Sequence, residues 1–233
     1  MEVLLERADF ISFLVEAGAL QFGSFTLKSG RVSPYFFNSA QFRSGPTLAR
    51  LGEFFAGVIA QVAPQATIVF GPAYKGIPLC VAASMALSRQ TGRELGYLFN
   101  RKEAKTHGDT GLFVGQTPQA GDRLVLVDDV ITDGQTKYEA VALLRDAFPG
   151  VPIDALVIAF NRMERDAQGR DALAEFQRAT GIPVHAIVSL ADLRDALAPA
   201  GALAGMDLPG AHLPGDLLQA VEAYQQAYGV PGV

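Results

Sequence analysis

The sequence predicts an α/β fold in which helices flank a central, mostly parallel sheet, with a small N-terminal hood of strands and helix. Short apolar segments with strand character alternate with segments of helical periodicity from about residue 66 to residue 189. Such alternation is typical of a parallel sheet covered by helices. The strand segments are continuous apolar runs, as strands buried on both faces tend to be. The length of 233 residues and a hydrophobic content of 49% suffice for one such core. We therefore predict a single domain, 1–233.

The N-terminal region predicts a helix, a strand-and-turn region and a second helix. Apolar residues spaced by three and four from Leu4 to Gly18 predict the first helix. Glycines and a proline among the apolar residues of Phe22 to Asn38 predict short strands and turns. Ser44-Gly45-Pro46 predicts the start of the next helix, which has an apolar face as far as Val62. Residues 1–45 are expected to contribute to the hood.

The alternating region predicts five strands with helices between several of them. The predicted strands are Ala66 to Phe70, Leu95 to Phe99, Arg123 to Val127, Ile153 to Phe160 and Val184 to Ser189. The predicted helices lie at about Gly76 to Gln90, Gln135 to Phe148 and Ala172 to Ala179. Apolar residues from Leu217 to Tyr228 predict a terminal amphipathic helix.

Two stretches are predicted to be irregular. Asn100 to Pro118 exceeds the usual loop length, and such loops are commonly active-site lids or disordered. Pro199 to Gly215 is rich in proline and glycine, which predicts a surface excursion.

Composition argues against several classes of protein. The net charge is −5, whereas proteins that bind duplex nucleic acid usually carry a basic domain or stripe. No apolar run approaches the roughly 20 residues of a membrane span, and the first residues lack the basic-then-apolar order of a signal peptide. The single cysteine, Cys80, fits a reducing compartment. We therefore expect a cytoplasmic protein that has neither nucleic acid nor a membrane as a partner.

The strongest local signal for a ligand site is the stretch from Leu124 to Thr136. A buried strand ends in two carboxylates, Asp128 and Asp129, and a Thr/Gly loop then opens a helix. Ligands bind beyond the carboxyl ends of parallel strands, and a helix N-terminus suits a phosphate. Adjacent carboxylates suit sugar hydroxyls or a metal ion. The stretch predicts a ribose 5-phosphate site; the alternative is an ordinary strand end with Asp as a helix cap.

The stretch from Leu124 to Thr136 resembles the 5-phosphoribosyl-1-pyrophosphate (PRPP) motif of the type I phosphoribosyltransferases. Phe99 to Gly108 resembles the mobile catalytic loop of the orotate phosphoribosyltransferase family. Three further segments are similar to that family: Phe25 to Gly30 with Ser33 to Asn38, Phe70 to Pro78, and Asn161 to Arg165. The resemblance runs from about Phe22 to Ser189. Agreement of five separated motifs is far more specific than a lone Asp-Asp pair.

The resemblance implies roles for the cations between Asn100 and Pro118. Arg101, Lys102, Lys105 and His107 are expected to bind pyrophosphate on a mobile loop, 100–118, that closes over the site. In the family the loop is shared across a homodimer, so Lys102 is expected to reach the neighbouring subunit. Lys105 matches the lysine most important for catalysis in the family. A lysine suits that role because preorganised cations stabilise the charge on a departing pyrophosphate. The alternative is a solvated, charged loop.

The resemblance also assigns the remaining contacts. Lys28, Tyr74 and Lys75 match PRPP-binding residues, and Asp128 and Asp129 match catalytic acids that face the ribose hydroxyls. The residues that match the 5-phosphate loop are Val130, Ile131, Thr132, Asp133, Gly134, Gln135 and Thr136. The residues that match orotate contacts are Phe36, Phe37, Thr132 and Arg162, whose planar fork suits a carboxylate.

The phosphate loop departs from the family pattern at one place. The usual Thr-Ala-Gly-Thr is replaced by Thr132-Asp133-Gly134-Gln135, and Thr136 and Lys137 follow. An acid disfavours binding of a phosphate dianion unless it points away, so we hypothesise that Asp133 faces solvent or caps the helix. The amide of Gln135, or Thr136 or Lys137, is expected to compensate for the lost hydroxyl.

The implied reaction is displacement of pyrophosphate from C1 of PRPP by N1 of orotate, giving orotidine 5′-monophosphate. Mg²⁺ is expected to arrive with PRPP, held mainly by substrate oxygens and without direct protein ligands. A purine phosphoribosyltransferase is one alternative, although it would not share Lys28, Phe36-Phe37 and Arg162 together. A ligand-sensing regulator on the same fold is another, although it usually needs a nucleic-acid-binding region or a basic face.

Overall fold

The computed structural model describes residues 6–27, 29–105, 111–131, 134–166, 168–208 and 214–230, and the account below concerns these ranges. The helices are α1 (Arg7–Glu16), α2 (Gly45–Val62), α3 (Gly76–Thr91), α4 (Gln135–Ala147), α5 (Ala172–Thr180), α6 (Leu190–Leu197) and α7 (Pro214–Tyr228). The strands are β1 (Leu20–Thr26), β2 (Val32–Phe37), β3 (Ile68–Phe70), β4 (Gly96–Lys105), β5 (Gly111–Gly115), β6 (Leu124–Asp128), β7 (Ile153–Asn161) and β8 (Val184–Ser189).

The main sheet has six strands in the order β5-β4-β3-β6-β7-β8. β3 pairs in parallel with both β4 and β6, and β6 pairs in parallel with β7. β5 pairs antiparallel with β4 at the edge. The predicted α/β fold with a mostly parallel sheet and flanking helices is therefore confirmed, and the carboxyl ends of β3, β4 and β6 share one edge.

The contacts divide the chain into two compact units, each described by itself. We call Ser44–Ala159 with Ala172–Ala186 the sheet unit, and Met1–Arg43 with Phe160–Asp171 and Ile187–Val233 the terminal unit.

The core of the sheet unit lies between the strands and their helices. All five residues of β6 are buried, as its continuous apolar run predicts. Phe176 of α5 is fully buried, and its ring lies 5.2 Å from that of Tyr138 on α4. The start of α2 is confirmed at the predicted place, because the Ser44 and Thr47 side chains accept each other's backbone N–H groups in a capping box.

The terminal unit is built around aromatic side chains. β1 and β2 form an antiparallel hairpin, which confirms the strands and turns predicted between Phe22 and Asn38. Tyr35 of β2 is fully buried, with its ring edge-on to the rings of Phe160 and Tyr224. The hairpin and α7 therefore pack together around Tyr35.

One prediction for a connecting segment needs correction, and one helix was not predicted. Asn100 to Pro118 is not irregular throughout, because β4 continues to Lys105 and β5 pairs with it. β5 is a short apolar run between Gly111 and Gly115, too short to stand out by periodicity alone. Helix α6 was not predicted because it begins directly after β8, where Ser189 and Asp192 form its capping box.

The segment predicted as a surface excursion, Pro199 to Gly215, is anchored in the terminal unit. Most of its described residues are exposed or partly exposed, but Leu203 and Leu208 are buried. Among the residues described, no helix has the length and apolarity needed to cross a membrane.

Replacing glycine by alanine should have opposite effects on stability at two positions of α2. A Cβ on Gly52 would lie 2.6 Å from the carbonyl oxygen of Ala82 on α3, whereas a Cβ on Gly57 would meet nothing within 4 Å. We expect Gly52→Ala to lower the free energy of unfolding by about 1–3 kcal/mol, because α2 and α3 must separate. Gly57→Ala is the matched control and should raise it by up to about 1 kcal/mol. Urea unfolding measures both; equal effects would contradict this packing.

Candidate active site

Two buried carboxylates lie at the carboxyl end of β6. Asp128 is the last residue of the strand and Asp129 follows it; they are 4% and 5% exposed. Burying two adjacent carboxylates is costly unless each is paired and hydrogen-bonded. Their partners therefore determine what this edge of the sheet can do.

Each carboxylate accepts one backbone N–H group and faces one lysine. Oδ1 of Asp128 accepts from the N–H of Asp129, and Oδ1 of Asp129 accepts from the N–H of Val130, both at 2.8 Å. Nζ of Lys137 lies 2.6 Å from Oδ2 of Asp128. Nζ of Lys75 donates to Oδ2 of Asp129 at 2.7 Å. A carboxylate has about four lone-pair sites and can accept several hydrogen bonds at once.

The ionisation of Asp128 depends on opposing effects. Burial raises the pKa of this carboxyl above its ordinary value, and the neighbouring Asp129 acts in the same direction. Lys137 and the N–H group of Asp129 lower it, and the net direction is upward. Lys137 therefore limits a rise in pKa that burial would otherwise impose.

The turn between β3 and α3 brings further predicted residues to the same edge. It carries Lys75, which faces Asp129, and Tyr74, which is 66% exposed. Nζ of Lys102 lies 5.0 Å from the centre of the Tyr74 ring, a cation–π distance. Oδ1 of Asn100 accepts from the N–H of Ala73 at 3.1 Å, which ties β4 to this turn.

The predicted pyrophosphate-binding residues follow along β4. Nη1 of Arg101 donates to the carbonyl of Gly111 on β5 at 3.0 Å. The backbone of Lys105 pairs with Gly111 at the end of the β4–β5 ladder. His107 lies outside the described residues. Lys75, Arg101 and Lys102 thus place three cations on the β3–α3 turn and on β4.

The predicted 5-phosphate loop leads into α4. Gly134 precedes the helix with φ of +76°, a left-handed conformation that favours glycine. Gln135 and Thr136 are exposed in the first turn, where the helix dipole favours an anion. The side chain of Gln135 donates to Glu139 at 2.8 Å. Val130 is partly buried and Ile131 belongs to the core.

Thr132 and Asp133 lie outside the described residues, and so does Lys28. The hypothesis that Asp133 faces solvent or caps α4 stays a prediction. The same holds for the contacts predicted for Thr132 and Lys28.

Arg162 lies in the terminal unit, directly after β7, within a polar cluster. Its Nε donates to Oε1 of Glu164 at 2.7 Å, and its Nη2 lies 2.6 Å from the same oxygen. The hydroxyl of Tyr224 donates to that oxygen at 3.0 Å, and the guanidinium lies 4.9 Å from the centre of the Tyr35 ring. Burial lowers the pKa of Arg162, but Tyr35 and Glu164 raise it and the net direction is upward. Arg162 is thus held as a cation.

Phe36 and Phe37 do not form one contact surface. Because side chains alternate along a strand, Phe37 is buried and stacks on Phe160, with ring centres 5.7 Å apart. Phe36 is partly buried on the other face and stacks on Phe25 at 5.5 Å.

Sequence reasoning missed several partners of the predicted residues. Glu164 and Tyr35 lie inside segments that resemble the family, so their presence there was the available signal. Tyr224 was assigned only to an amphipathic helix. Asn100 and Lys137 carried no separate signal for the contacts that they make.

The mostly parallel six-stranded sheet with flanking helices is the fold of the type I phosphoribosyltransferases. Comparison with solved structures agrees with this class. The orotate phosphoribosyltransferase of Francisella tularensis superimposes with a TM-score of 0.78 at 32% identity, covering 94% of this chain and 98% of that one. The adenine phosphoribosyltransferase of Leishmania donovani, at 16% identity and a TM-score of 0.53, shares the fold.

Comparison with curated proteins identifies the family. The orotate phosphoribosyltransferase of Thioalkalivibrio sulfidiphilus is 45% identical over 224 residues, which are 96% of this chain and 98% of the relative. That of Pseudomonas aeruginosa strain PAO1 is 46% identical with the same coverage. No protein-family model matches the chain. The chain belongs to the orotate phosphoribosyltransferase family.

Removing the carboxylate that pairs with Arg162 should strongly lower the stability of the folded protein. Glu164→Gln leaves the guanidinium of Arg162 without its paired carboxylate, and we expect the free energy of unfolding to fall by about 3–5 kcal/mol. Glu175→Gln is the matched control, because its pair with Arg178 lies at the surface and its loss should cost no more than about 1 kcal/mol. Urea unfolding of both variants is the measurement. A similar small effect for Glu164→Gln would show that the cluster does not depend on this ion pair.

Proposed function

We propose that this chain transfers the 5-phosphoribosyl group of PRPP to N1 of orotate, giving orotidine 5′-monophosphate and diphosphate in the synthesis of UMP. The observation that carries the proposal is the pair of lysine-bound carboxylates, Asp128 and Asp129, beyond β6. It occurs in a chain that is about 45% identical to orotate phosphoribosyltransferases over nearly its full length.

Asp128 and Asp129 are proposed to hold the ribose. Their oxygens accept hydrogen bonds from two ribose hydroxyls, which fixes the sugar while C1 changes partner. As the bond from C1 to pyrophosphate breaks, the ring gains oxocarbenium character, and two nearby carboxylates stabilise that positive charge. N1 of orotate then bonds to C1 on the opposite face, with inversion.

The cations at the edge of the sheet are proposed to stabilise the leaving group. Pyrophosphate gains negative charge as it departs, and Lys75, which contacts Asp129, and Arg101 on β4 are proposed to stabilise it within the subunit, whereas Lys102 is proposed to act on the neighbouring site. Lys105 and His107 complete this set. Closure of segment 100–118 over the substrates would exclude water and so limit hydrolysis of PRPP.

The 5-phosphate is proposed to bind at the N-terminus of α4. Gly134 precedes the helix in a left-handed conformation, and the dipole of a 13-residue helix favours the dianion. Thr136 is exposed in the first turn and can donate its hydroxyl.

Arg162 is proposed to bind the carboxylate of orotate. Its Nε and Nη2 face Glu164, whereas Nη1 has no partner among the residues that the structure describes. Nη1 is therefore the donor available to a substrate carboxylate. Phe36, partly exposed on β2, is proposed to contact the pyrimidine ring, as is Thr132.

Mg²⁺ is proposed to enter with PRPP. Both carboxylates already face a lysine and a backbone N–H group, which suits an ion held mainly by the oxygens of its substrate. Mg²⁺ would supply charge neutralisation on the pyrophosphate.

A homodimer and a cytoplasmic location are also proposed. The family resemblance supports a dimer in which Lys102 serves the neighbouring site. The single cysteine, Cys80, is buried and unpaired, in keeping with a reducing compartment.

A direct assay tests the reaction. With PRPP and Mg²⁺, we expect the wild-type chain to consume orotate, followed by its absorbance, and not to consume hypoxanthine or adenine. Lys105→Ala should lower kcat by about 10²–10³, the usual effect of removing one preorganised donor. Arg178→Ala removes the same charge at an exposed site and should retain wild-type activity. A wild-type chain that leaves orotate untouched would refute the assignment, and purine consumption would favour the purine alternative.

Hybrid dimers test the sharing of Lys102. Lys102→Ala and Asp129→Asn should each be nearly inactive, because each impairs both sites of its own dimer. If Lys102 serves the neighbouring site, a hybrid of the two contains one intact site. An equimolar mixture that exchanges subunits should therefore recover about a quarter of wild-type activity. Activity no higher than that of the separate variants would mean that Lys102 acts within its own subunit.

A further inference from the structure

The contact between Lys137 and Asp128 has no counterpart among the contacts that the sequence resemblance assigns. Lys137 is the third residue of α4, and its Nζ reaches back to Oδ2 of Asp128 at 2.6 Å. The two side chains are only 12% and 6% exposed. The ion pair is therefore largely desolvated.

A lysine at this position is unfavourable on general grounds. A cation in the first turn of a helix opposes the helix dipole, and burying an ammonium group is costly unless it is paired. Ordering the long side chain also costs conformational entropy. Only a strong interaction offsets these costs, and among the described residues Asp128 provides it.

The groups that face Asp128 show why Lys137 is the residue that supplies its counter-charge. Lys137 faces it from α4, and Asp129, itself bound to Lys75 from the β3–α3 turn, faces it from the adjacent position. From β7 the residue in register is the apolar Ile158. Lys75 cannot replace Lys137, because it contacts the other carboxylate and is 62% exposed, so that solvent screens its charge.

We propose that Lys137 is a positioning residue of the ribose site, whose ammonium group holds the Asp128 carboxylate ionised and oriented to accept a ribose hydroxyl. This proposal rests on the ribose-binding role of Asp128 given above.

The test is the pH dependence of kcat/KM for PRPP. Asp128 binds ribose as a carboxylate, so activity falls as the pH drops through its pKa. Lys137→Met removes the charge that lowers this pKa, so we expect the acidic limb of the profile to move to higher pH by about one unit or more. Lys137→Arg keeps the charge, so its acidic limb should lie at the same pH as that of the wild type. Arg145→Met removes a cation from the same helix, where it donates to the carbonyl of Thr180, and should leave the profile unchanged.

Three results would overturn the proposal: an acidic limb that does not move in Lys137→Met, one that moves equally in Arg145→Met, or one that Lys137→Arg fails to restore. If Lys137→Met does not fold, Lys137→Gln replaces it, since glutamine also lacks the charge and the same outcomes apply. If the wild type fails to consume orotate, the reaction assigned above fails, and calorimetric binding of PRPP across the same pH range tests Lys137 independently.

Discussion

The structure of the site depends on the cost of burying two adjacent carboxylates at the end of β6. Asp128 and Asp129 are both nearly inaccessible, and like charges this close disfavour each other. Each is stabilised by one backbone N–H group and one lysine. The two lysines come from different elements, Lys75 from the turn after β3 and Lys137 from α4. The carboxylates therefore also fix the relative placement of these two elements.

That constraint connects the fold to the chemistry. A parallel sheet brings the ends of β3, β4 and β6 to one edge, so residues far apart in the sequence meet there. Asn100 fastens the end of β4 to the turn that carries Lys75, and Lys102 lies over Tyr74 on the same turn. Negative groups suited to a sugar and positive groups suited to a leaving pyrophosphate thus lie side by side, as a phosphoribosyl transfer requires.

The parts of the fold that could be predicted from sequence are those with a local cause. A continuous run of apolar residues predicts a buried strand, and β6 has that form. Helix α6 could not be predicted in the same way, because Ser189 both ends a strand and caps the helix. The pairing of Arg162 with Glu164 depends on Met163, which adopts φ of +52° between them. Such a conformation is uncommon outside glycine, and the sequence does not reveal it.

The site shows the same division. Asp128, Asp129 and Lys75 could be predicted from motifs, but which lysine faces which carboxylate depends on tertiary packing. Phe36 and Phe37 resemble a pair in sequence, yet strand alternation places them on opposite faces of β2. Lys137 was expected only as a possible substitute for a hydroxyl of the phosphate loop, whereas α4 brings its ammonium group to Asp128 at the end of β6.

The charge state of the two carboxylates in the free protein is the most direct test of this account. It can be measured by a ¹³C NMR titration of the aspartate side-chain carboxyls, with Asp128→Asn and Asp129→Asn to assign the two signals. The account predicts that both groups are ionised at neutral pH, and that Asp128 titrates above the ordinary range for aspartate. A protonated Asp128 at neutral pH would contradict it, because the lysines would then not hold an ionised pair.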